Sequence, residues 1–334
     1  MKTVKGLHEK MGTFENANTS FHQAARCKRY TNEVLAFSMV KEEELLRATE
    51  EIQNLTYRQG EYKIFKVFEP KERLIMALPF YDRVVQHMIC NAIQPVFENG
   101  FYYHSYACRS GKGMHAASDT LYQWMYETEV KQGLRMYAFK GDISKYFASI
   151  PHDKLKDENR RYIGDKKALM LMDDIIDHNG ILPDGVGIPV GNLTSQLFAN
   201  VYGNKLDKFC KHVLHIPYFV RYMDDFIILS DDLEQLKEWV KRIEEFLENE
   251  MLLHINPKST ILYAGNGIDF CGYIHYADHK KVRKSSIRKL KQDVKAYELG
   301  ELPPEEFNRK YESRKGHLGH ADTCLLYTSD AADE

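Results

Sequence analysis

Three carboxylates stand in places where their chemistry could matter. Asp142 follows the apolar run Tyr137-Ala138-Phe139, and Asp224-Asp225 sit between Phe219-Val220 and Phe226-Ile227-Ile228-Leu229. A lone Asp at a strand end is most often a turn-former. An acidic doublet inside an apolar hairpin is harder to explain, because burying it is unfavourable without a compensating partner. Carboxylates gathered at one point repel, and divalent cations that bridge them relieve the repulsion. Oxygen ligands with few accompanying His or Cys favour Mg²⁺. Two Mg²⁺ ions on shared aspartates suit in-line phosphoryl transfer, one activating the attacking oxygen and one the leaving oxygen.

These groups meet only if the chain brings strand ends together. Tyr137-Ala138-Phe139 reads as a short strand running into Gly141-Asp142-Ile143-Ser144, and Asn192 to Phe209 as a helix. Two β-rich runs flank Met223-Asp224-Asp225 within Pro217 to Ser230, which predicts a hairpin. Leu233, Leu236, Val240, Ile243 and Leu247 recur at helical spacing through Asp231 to Glu250, and Ser259 to Tyr263 reads as a final strand. Strand, helix, hairpin, helix, strand is the order of a split βαβ, ferredoxin-like sheet with helices on one face. Its central strands lie side by side, which would bring Asp142 to Asp224. Upstream, Leu45, Leu46 and Ile52 predict an amphipathic helix over Lys41 to Asn54. Strands are expected at Tyr62 to Phe68 and Leu74 to Leu78, around a turn at Glu69-Pro70-Lys71, before a helix over Asp82 to Phe97. The expected class is α+β.

Tyr222-Met223-Asp224-Asp225 resembles the YxDD signature of reverse transcriptases, and Phe139-Lys140-Gly141-Asp142-Ile143-Ser144-Lys145-Tyr146-Phe147 resembles their first palm motif. Further blocks follow that family in order. Lys71-Glu72-Arg73-Leu74-Ile75 resembles the fingers motif that meets the nucleoside triphosphate, and Ser105-Tyr106-Ala107-Cys108-Arg109 with Gly111-Lys112-Gly113 the next fingers block. Leu253-His254-Ile255-Asn256-Pro257-Lys258 resembles the palm motif ending in lysine, and Phe270-Cys271-Gly272-Tyr273 the primer grip. Gly187-Ile188-Pro189-Val190-Gly191-Asn192-Leu193-Thr194-Ser195-Gln196 stands where group II intron and retroviral enzymes carry QGxxxSP, with Val190 in place of Gln and Gln196 in place of Pro. That form resembles diversity-generating retroelement reverse transcriptases, which copy a template RNA while misincorporating opposite adenines.

The resemblance implies a right-hand polymerase with fingers, a ferredoxin-like palm and a helical thumb, working with two Mg²⁺ ions. The expected segments are 1–136 for an N-terminal extension and fingers, 137–275 for the palm (148–186 partly returning to the fingers), and 276–323 for a truncated thumb. It implies that Asp142, Ile143, Asp224 and Asp225 hold metal, and that Lys258 joins the aspartates in catalysis by donating a proton to departing pyrophosphate. Lys71, Arg73 and Arg109 would meet substrate phosphates, as cations do. Ile143, Phe147, Val190, Gly191 and Gln196 complete the substrate set. Phe147, five positions after Asp142, is where the family places a ring that excludes a 2′-hydroxyl. Implied partners are template RNA, primer DNA, deoxynucleoside triphosphates and a small basic accessory protein. Retron, group II-like and abortive-infection enzymes share this chemistry. A nucleic-acid-binding scaffold without turnover is the reading from another class, and it has no need of three repelling carboxylates.

Composition bounds the rest. The chain has 334 residues, 43% hydrophobic and 12% aromatic, which excludes a disordered or collagen-like protein. Lys+Arg 46 against Asp+Glu 48 leaves a net charge of −2, so any nucleic-acid surface must be a local patch. One such patch is expected from Lys280 to Lys291, basic and free of acids, on a thumb helix that would track a phosphate backbone. A Walker A loop is excluded at Gly111-Lys112-Gly113, which lacks the first Gly and the final Ser or Thr. Six scattered cysteines without a CxxC pair, and no apolar run long enough for a signal or a membrane span, lead us to expect a cytoplasmic protein. Cys324 to Glu334 resembles a read-through sequencing adapter, so the native sequence is expected to continue past Thr323.

Overall fold

The computed structural model describes residues 3–68 and 72–322; Lys71 and the adapter-like tail from Cys324 lie outside them. Nine strands occur among the described residues: β1 (Lys63–Val67), β2 (Arg73–Ala77), β3 (Tyr137–Asp142), β4 (Tyr218–Tyr222), β5 (Asp225–Ser230), β6 (Thr260–Tyr263), β7 (Ile268–Phe270), β8 (Tyr273–His275) and β9 (Lys280–Val282). With helices throughout, the fold is α+β. The chain divides into two compact units, each assembled from segments distant in sequence.

The first unit comprises Met1–Tyr103, Ile143–Phe209 and Ile243–Ile255. Its centre is the helix Phe80–Glu98, whose Val84, Val85, Met88, Ile89 and Ile93 recur at helical spacing and are fully buried. Each such side chain contributes about 2 kcal/mol of hydrophobic stabilisation. The helices Phe14–Ala24 and Leu193–Lys208 pack against it. Helix Lys41–Gln53 buries Leu45, Ala48 and Ile52, while Leu46, expected on that face, is exposed. Asp165 starts two helices at once. It accepts from the backbone N–H groups of Lys167 and Ala168, and of Leu7 and His8. Burial alone would raise its carboxyl, and these four donors instead hold it below the usual carboxylate range. β1 and β2 form an antiparallel hairpin, with Lys63 opposite Ala77 and Val67 opposite Arg73. All five β1 residues are exposed, so the alternation of Tyr62 to Phe68 marks no buried face.

The second unit comprises His104–Asp142, Cys210–Arg242 and Asn256–Glu334. Its main sheet has the order β4-β5-β3-β6 with every neighbouring pair antiparallel, the strand order of a ferredoxin-like sheet. The central strand β5 buries Phe226, Ile227, Ile228 and Leu229 together, hence its unbroken apolar run. One face packs Ala138, Val220, Ile227 and Leu229 against Leu121 and Met125 of the helix Met114–Met125. Gly141 is required by contact: a Cβ there would lie 2.3 Å from the Phe226 ring, which crosses β3 beside Asp142. β7, β8 and β9 form a second antiparallel sheet.

Two expectations are corrected. In the basic run, Lys280–Val282 is strand β9, paired to Tyr273–His275, and the helix begins only at Lys284. Within it Lys280 is paired with Asp119 and Arg283 with Asp269, so the cations are not one uniform stripe. In the helix Leu233–Glu250 the buried residues are Leu236, Trp239, Ile243 and Leu247; Trp239 was not expected, and Leu233 and Val240 are only half-buried. No helix among the described residues is long and apolar enough to cross a membrane.

Candidate active site

The acidic site assembles at the ends of β3 and β5. Asp142, the last residue of β3, lies directly opposite Asp225, the first residue of β5. Asp224 occupies the two-residue turn before it, after Met223, whose backbone is left-handed (φ 59°). The residue directly across the sheet from Asp142 is thus Asp225, with Asp224 next to it in the turn. Burial first, then the charges of Asp224 and Asp142, push the Asp225 carboxyl up to about 6, against the pull of Lys140. Lys140 in turn lies 3.9 Å from Asp269, which also pairs with Arg283.

The loop before β6 grips Asp142. Asn256 Nδ2 donates to Asp142 Oδ2 (2.6 Å), and the Asn256 backbone N–H donates to the Asp142 carbonyl (2.7 Å). The Asp142 N–H donates to Ser259 Oγ (3.0 Å). Asn256 Oδ1 accepts from the Lys258 N–H (3.1 Å), so one amide both orients Asp142 and shapes the turn that presents the exposed Lys258. Sequence reasoning missed Asn256 as a site residue, although Asn256-Pro257 is a turn signal. It also missed Arg221, fully buried on β4, whose Nη1 donates to the Met223 carbonyl (2.8 Å) and Nη2 to Ser105 Oγ (3.1 Å). Arginine is rarely buried, and no linear signal marks this one. Half-buried Arg109 donates from Nη1 to the Ser105 carbonyl (2.7 Å).

The remaining expected residues lie in the first unit. Arg73 opens β2 and is exposed. Three residues on, the Met76 N–H donates to the Val190 carbonyl (2.9 Å), which ties the segment before helix Leu193–Lys208 to β2. Gly191 permits that approach: its φ is +128°, and a Cβ would stand 2.7 Å from the Met76 carbonyl oxygen. A polar network braces the same segment. Asn192 Nδ2 donates to Tyr62 Oη (2.7 Å), and the Leu193 N–H to Gln86 Oε1 (3.0 Å). Half-buried Phe147 joins the segment through its carbonyl, which accepts from the Ile188 N–H (2.8 Å). Val190 is half-buried, Gln196 is exposed on its helix, and Ile143 is buried in a bridge to Ile255. With its side chain enclosed, Ile143 has only backbone groups to offer an ion.

Among the described residues, no group of three or more His, Cys, Asp or Glu side chains is placed to hold a metal ion by itself. The donor set nevertheless fits a hard divalent cation. Asp142 and Asp225 face each other across the sheet, Asp224 adjoins them, and burial and mutual repulsion hold Asp225 in a state that a bridging cation relieves.

Comparison with known proteins bears on the family and the fold. The profile of the family described as "Reverse transcriptase (RNA-dependent DNA polymerase)" matches residues 66–275, more than half of the chain. The chain is 25% identical to Protein YkfC of Escherichia coli over 251 residues, covering 61% of this chain and 62% of that protein. It is 22% identical to the Putative COX1/OXI3 intron 2 protein of Saccharomyces cerevisiae, covering 58% of this chain and 29% of that one. It thus spans less than two thirds of either relative. Among solved structures it resembles apo telomerase from Candida tropicalis (TM-score 0.50, 13% identity, 66% of this chain and 47% of that chain). It also resembles telomerase from Candida albicans in complex with a fragment of telomeric RNA (TM-score 0.50, 12% identity, 90% and 60%). At such identities the likeness is one of fold.

Proposed function

This chain belongs to the reverse transcriptase (RNA-dependent DNA polymerase) family, and on that premise we propose that it extends a DNA primer on an RNA template with deoxynucleoside triphosphates. The observation that carries the reading is the Asp142–Asp225 carboxylate pair at adjoining strand ends, with Asp224 in the turn beside it. Asp142, Asp224, Asp225 and the Ile143 backbone would hold two Mg²⁺ ions, which when bound activate the primer hydroxyl and neutralise charge on the pyrophosphate. Asn256 fixes the orientation of Asp142 for that task. Arg73 and Arg109 supply cations for triphosphate oxygens, with Lys71 beside Arg73 in sequence. Lys258 supplies a proton to the leaving pyrophosphate, and Phe147 a ring against the sugar.

We further assign the chain to the diversity-generating type, error-prone at template adenines. The support is Val190-Gly191 followed by Ser195-Gln196, where faithful relatives carry Gln and Pro. A small basic accessory protein as partner and a cytoplasmic location belong to the same reading. The test is to copy a defined RNA with purified protein, with Mg²⁺ and without it, and to sequence the cDNA. Mg²⁺-dependent cDNA with substitutions concentrated at template adenines is the expected result. Even, low error over the four bases removes the diversity-generating assignment, and absence of cDNA removes the polymerase reading.

A further inference from the structure

The catalytic turn has an unusual support. A two-residue hairpin turn with a left-handed first residue normally takes Gly, Asn or Asp there. Here the position is Met223, at φ 59°, a conformation that costs a residue with a Cβ about 1 kcal/mol or more. Something must hold it. The group placed to do so is Arg221, whose Nη1 donates to the Met223 carbonyl at 2.8 Å. That carbonyl belongs to the peptide joining Met223 to Asp224. Fixing its direction fixes the peptide plane, and with it the direction in which the Asp224 side chain leaves the backbone.

Arg221 is itself held from three sides. Its backbone N–H donates to the His104 carbonyl (3.0 Å), and its carbonyl accepts from the Tyr106 N–H (3.0 Å), so residues 104–106 run along β4 as an added parallel bridge. Its Nη2 donates to Ser105 Oγ (3.1 Å). Arg221 has no exposed surface. A guanidinium is the side chain that can serve two acceptors in fixed directions at once; lysine offers a single rotatable ammonium.

We propose that Arg221 is a positioning residue, braced by Ser105, that holds the Met223 carbonyl and thereby aims Asp224. The inference rests on the polymerase reading, since Asp224 must have a cation to meet. It predicts a particular pattern of failure. Deoxynucleotide recognition through Arg73 and Val190 is untouched, so the KM for nucleotide stays within about twofold, while a misplaced Asp224 lowers kcat and weakens metal binding.

The experiment measures primer extension over a range of Mg²⁺ concentrations. Alongside it, Mn²⁺ binding is followed by the loss of the free-ion paramagnetic signal, a readout that needs no catalysis. Folding of each variant is checked by circular dichroism. For Arg221→Gln, kcat should fall about a hundredfold, the effect of misplacing a catalytic group by about an ångström. The Mg²⁺ concentration for half-maximal rate should rise and Mn²⁺ affinity should fall. Arg221→Lys should lie between Arg221→Gln and wild type. If Arg221→Gln fails to fold, Ser105→Ala decides, because it keeps the buried charge and removes only the brace. It should lower kcat several-fold with the same shift in metal dependence.

A folded Arg221→Gln protein with wild-type kcat and metal binding overturns the proposal. So do Arg221→Lys and Ser105→Ala proteins that both match wild type, or losses that leave the metal dependence unmoved, as a merely structural arginine would give. If wild type itself extends no primer and binds no Mn²⁺, the polymerase reading falls and this inference with it. Active wild type with unaffected variants sinks this inference alone.

Discussion

β5 buries Phe226 to Leu229 almost completely, whereas every residue of β1 is exposed. The two strands serve groups with different needs. β5 carries Asp225 in a sheet bonded on both sides, and Asp142 opposite is gripped by Asn256 and Ser259 as well. Among the described residues β1 pairs with β2 alone, whose Arg73 stands at an exposed end, and β2 is tied onward through the Met76–Val190 backbone bond. Groups that must meet reacting atoms need placement to a fraction of an ångström. Groups that select a substrate must also admit and release it, and such elements come from the less stable part of a fold. Loss of one of these half-buried carboxylates should therefore abolish turnover, and changes around β1 and β2 should alter which nucleotide is used.

The largest effect tests the rigid side. Asp142→Asn removes a charge from the carboxylate pair, and primer extension should fall at least about a thousandfold, because several kcal/mol of charge stabilisation is at stake. Asp225→Asn should approach it, since Asp225 and not Asp224 stands opposite Asp142. Single-turnover extension by the purified variants measures both. A fast Asp225→Asn enzyme would show that cross-strand position does not set a carboxylate's importance. Asn256→Ala keeps all three charges and removes a charge-assisted hydrogen bond, typically about 1.5–3 kcal/mol. A loss of kcat of roughly tenfold or more is expected, and wild-type kcat would free Asn256 of any role in orienting Asp142.

On the other side, Gly191→Ala forces a Cβ to within 2.7 Å of the Met76 carbonyl at a φ of +128°. A destabilisation of about 2 kcal/mol is expected from such a clash and backbone strain. The KM for nucleotide should rise more than kcat falls. Denaturant unfolding and steady-state kinetics check the two parts, and unchanged stability would deny that the backbone approach is tight. Phe147→Ala should let ribonucleotides into the product, raising the rNTP to dNTP incorporation ratio about tenfold, the scale of one well-packed group in a substrate pocket. An unchanged ratio would reduce Phe147 to packing beside Ile188.

How far the sequence discloses these regions follows from the kind of signal each leaves. The Asp-bearing strands are legible because acids interrupt apolar runs, and helix Phe80–Glu98 because its buried residues keep a 3.6-residue period. Alternation in β1 is equally clear and misleads, since it reports a pleat and not whether anything covers either face. Lys280–Val282 looks helical by its basic composition and becomes a strand because it folds back onto Tyr273–His275, the strand just before it, in an antiparallel hairpin. Arg221 and Asn256 act through hydrogen bonds to backbone and carboxylate atoms, and such roles have no pattern in residue type or period. Strand pairing and side-chain hydrogen bonding are what a linear reading loses.

The smallest expected effect concerns Val190, and it separates the diversity-generating reading from its faithful relatives. Valine has no donor or acceptor and offers only apolar contact, whereas glutamine carries both and reaches further. The Val190 carbonyl is already committed to the Met76 N–H, and Gly191 and Asn192 are held beside it. Val190→Gln should therefore change the side chain on a backbone that stays in place, and extension should persist. A hydrogen-bonding side chain near the nascent pair would tighten discrimination, and about 0.7–1.4 kcal/mol corresponds to roughly a threefold to tenfold lower error. The reduction should be greater opposite template adenine than opposite the other bases. Deep sequencing of cDNA from one defined RNA, copied by wild type and variant with any accessory protein supplied to both, reads this directly. A uniform change over the four bases would mean that Val190 loosens the pair in general, and the adenine preference would then have to originate elsewhere in the chain or in its partner.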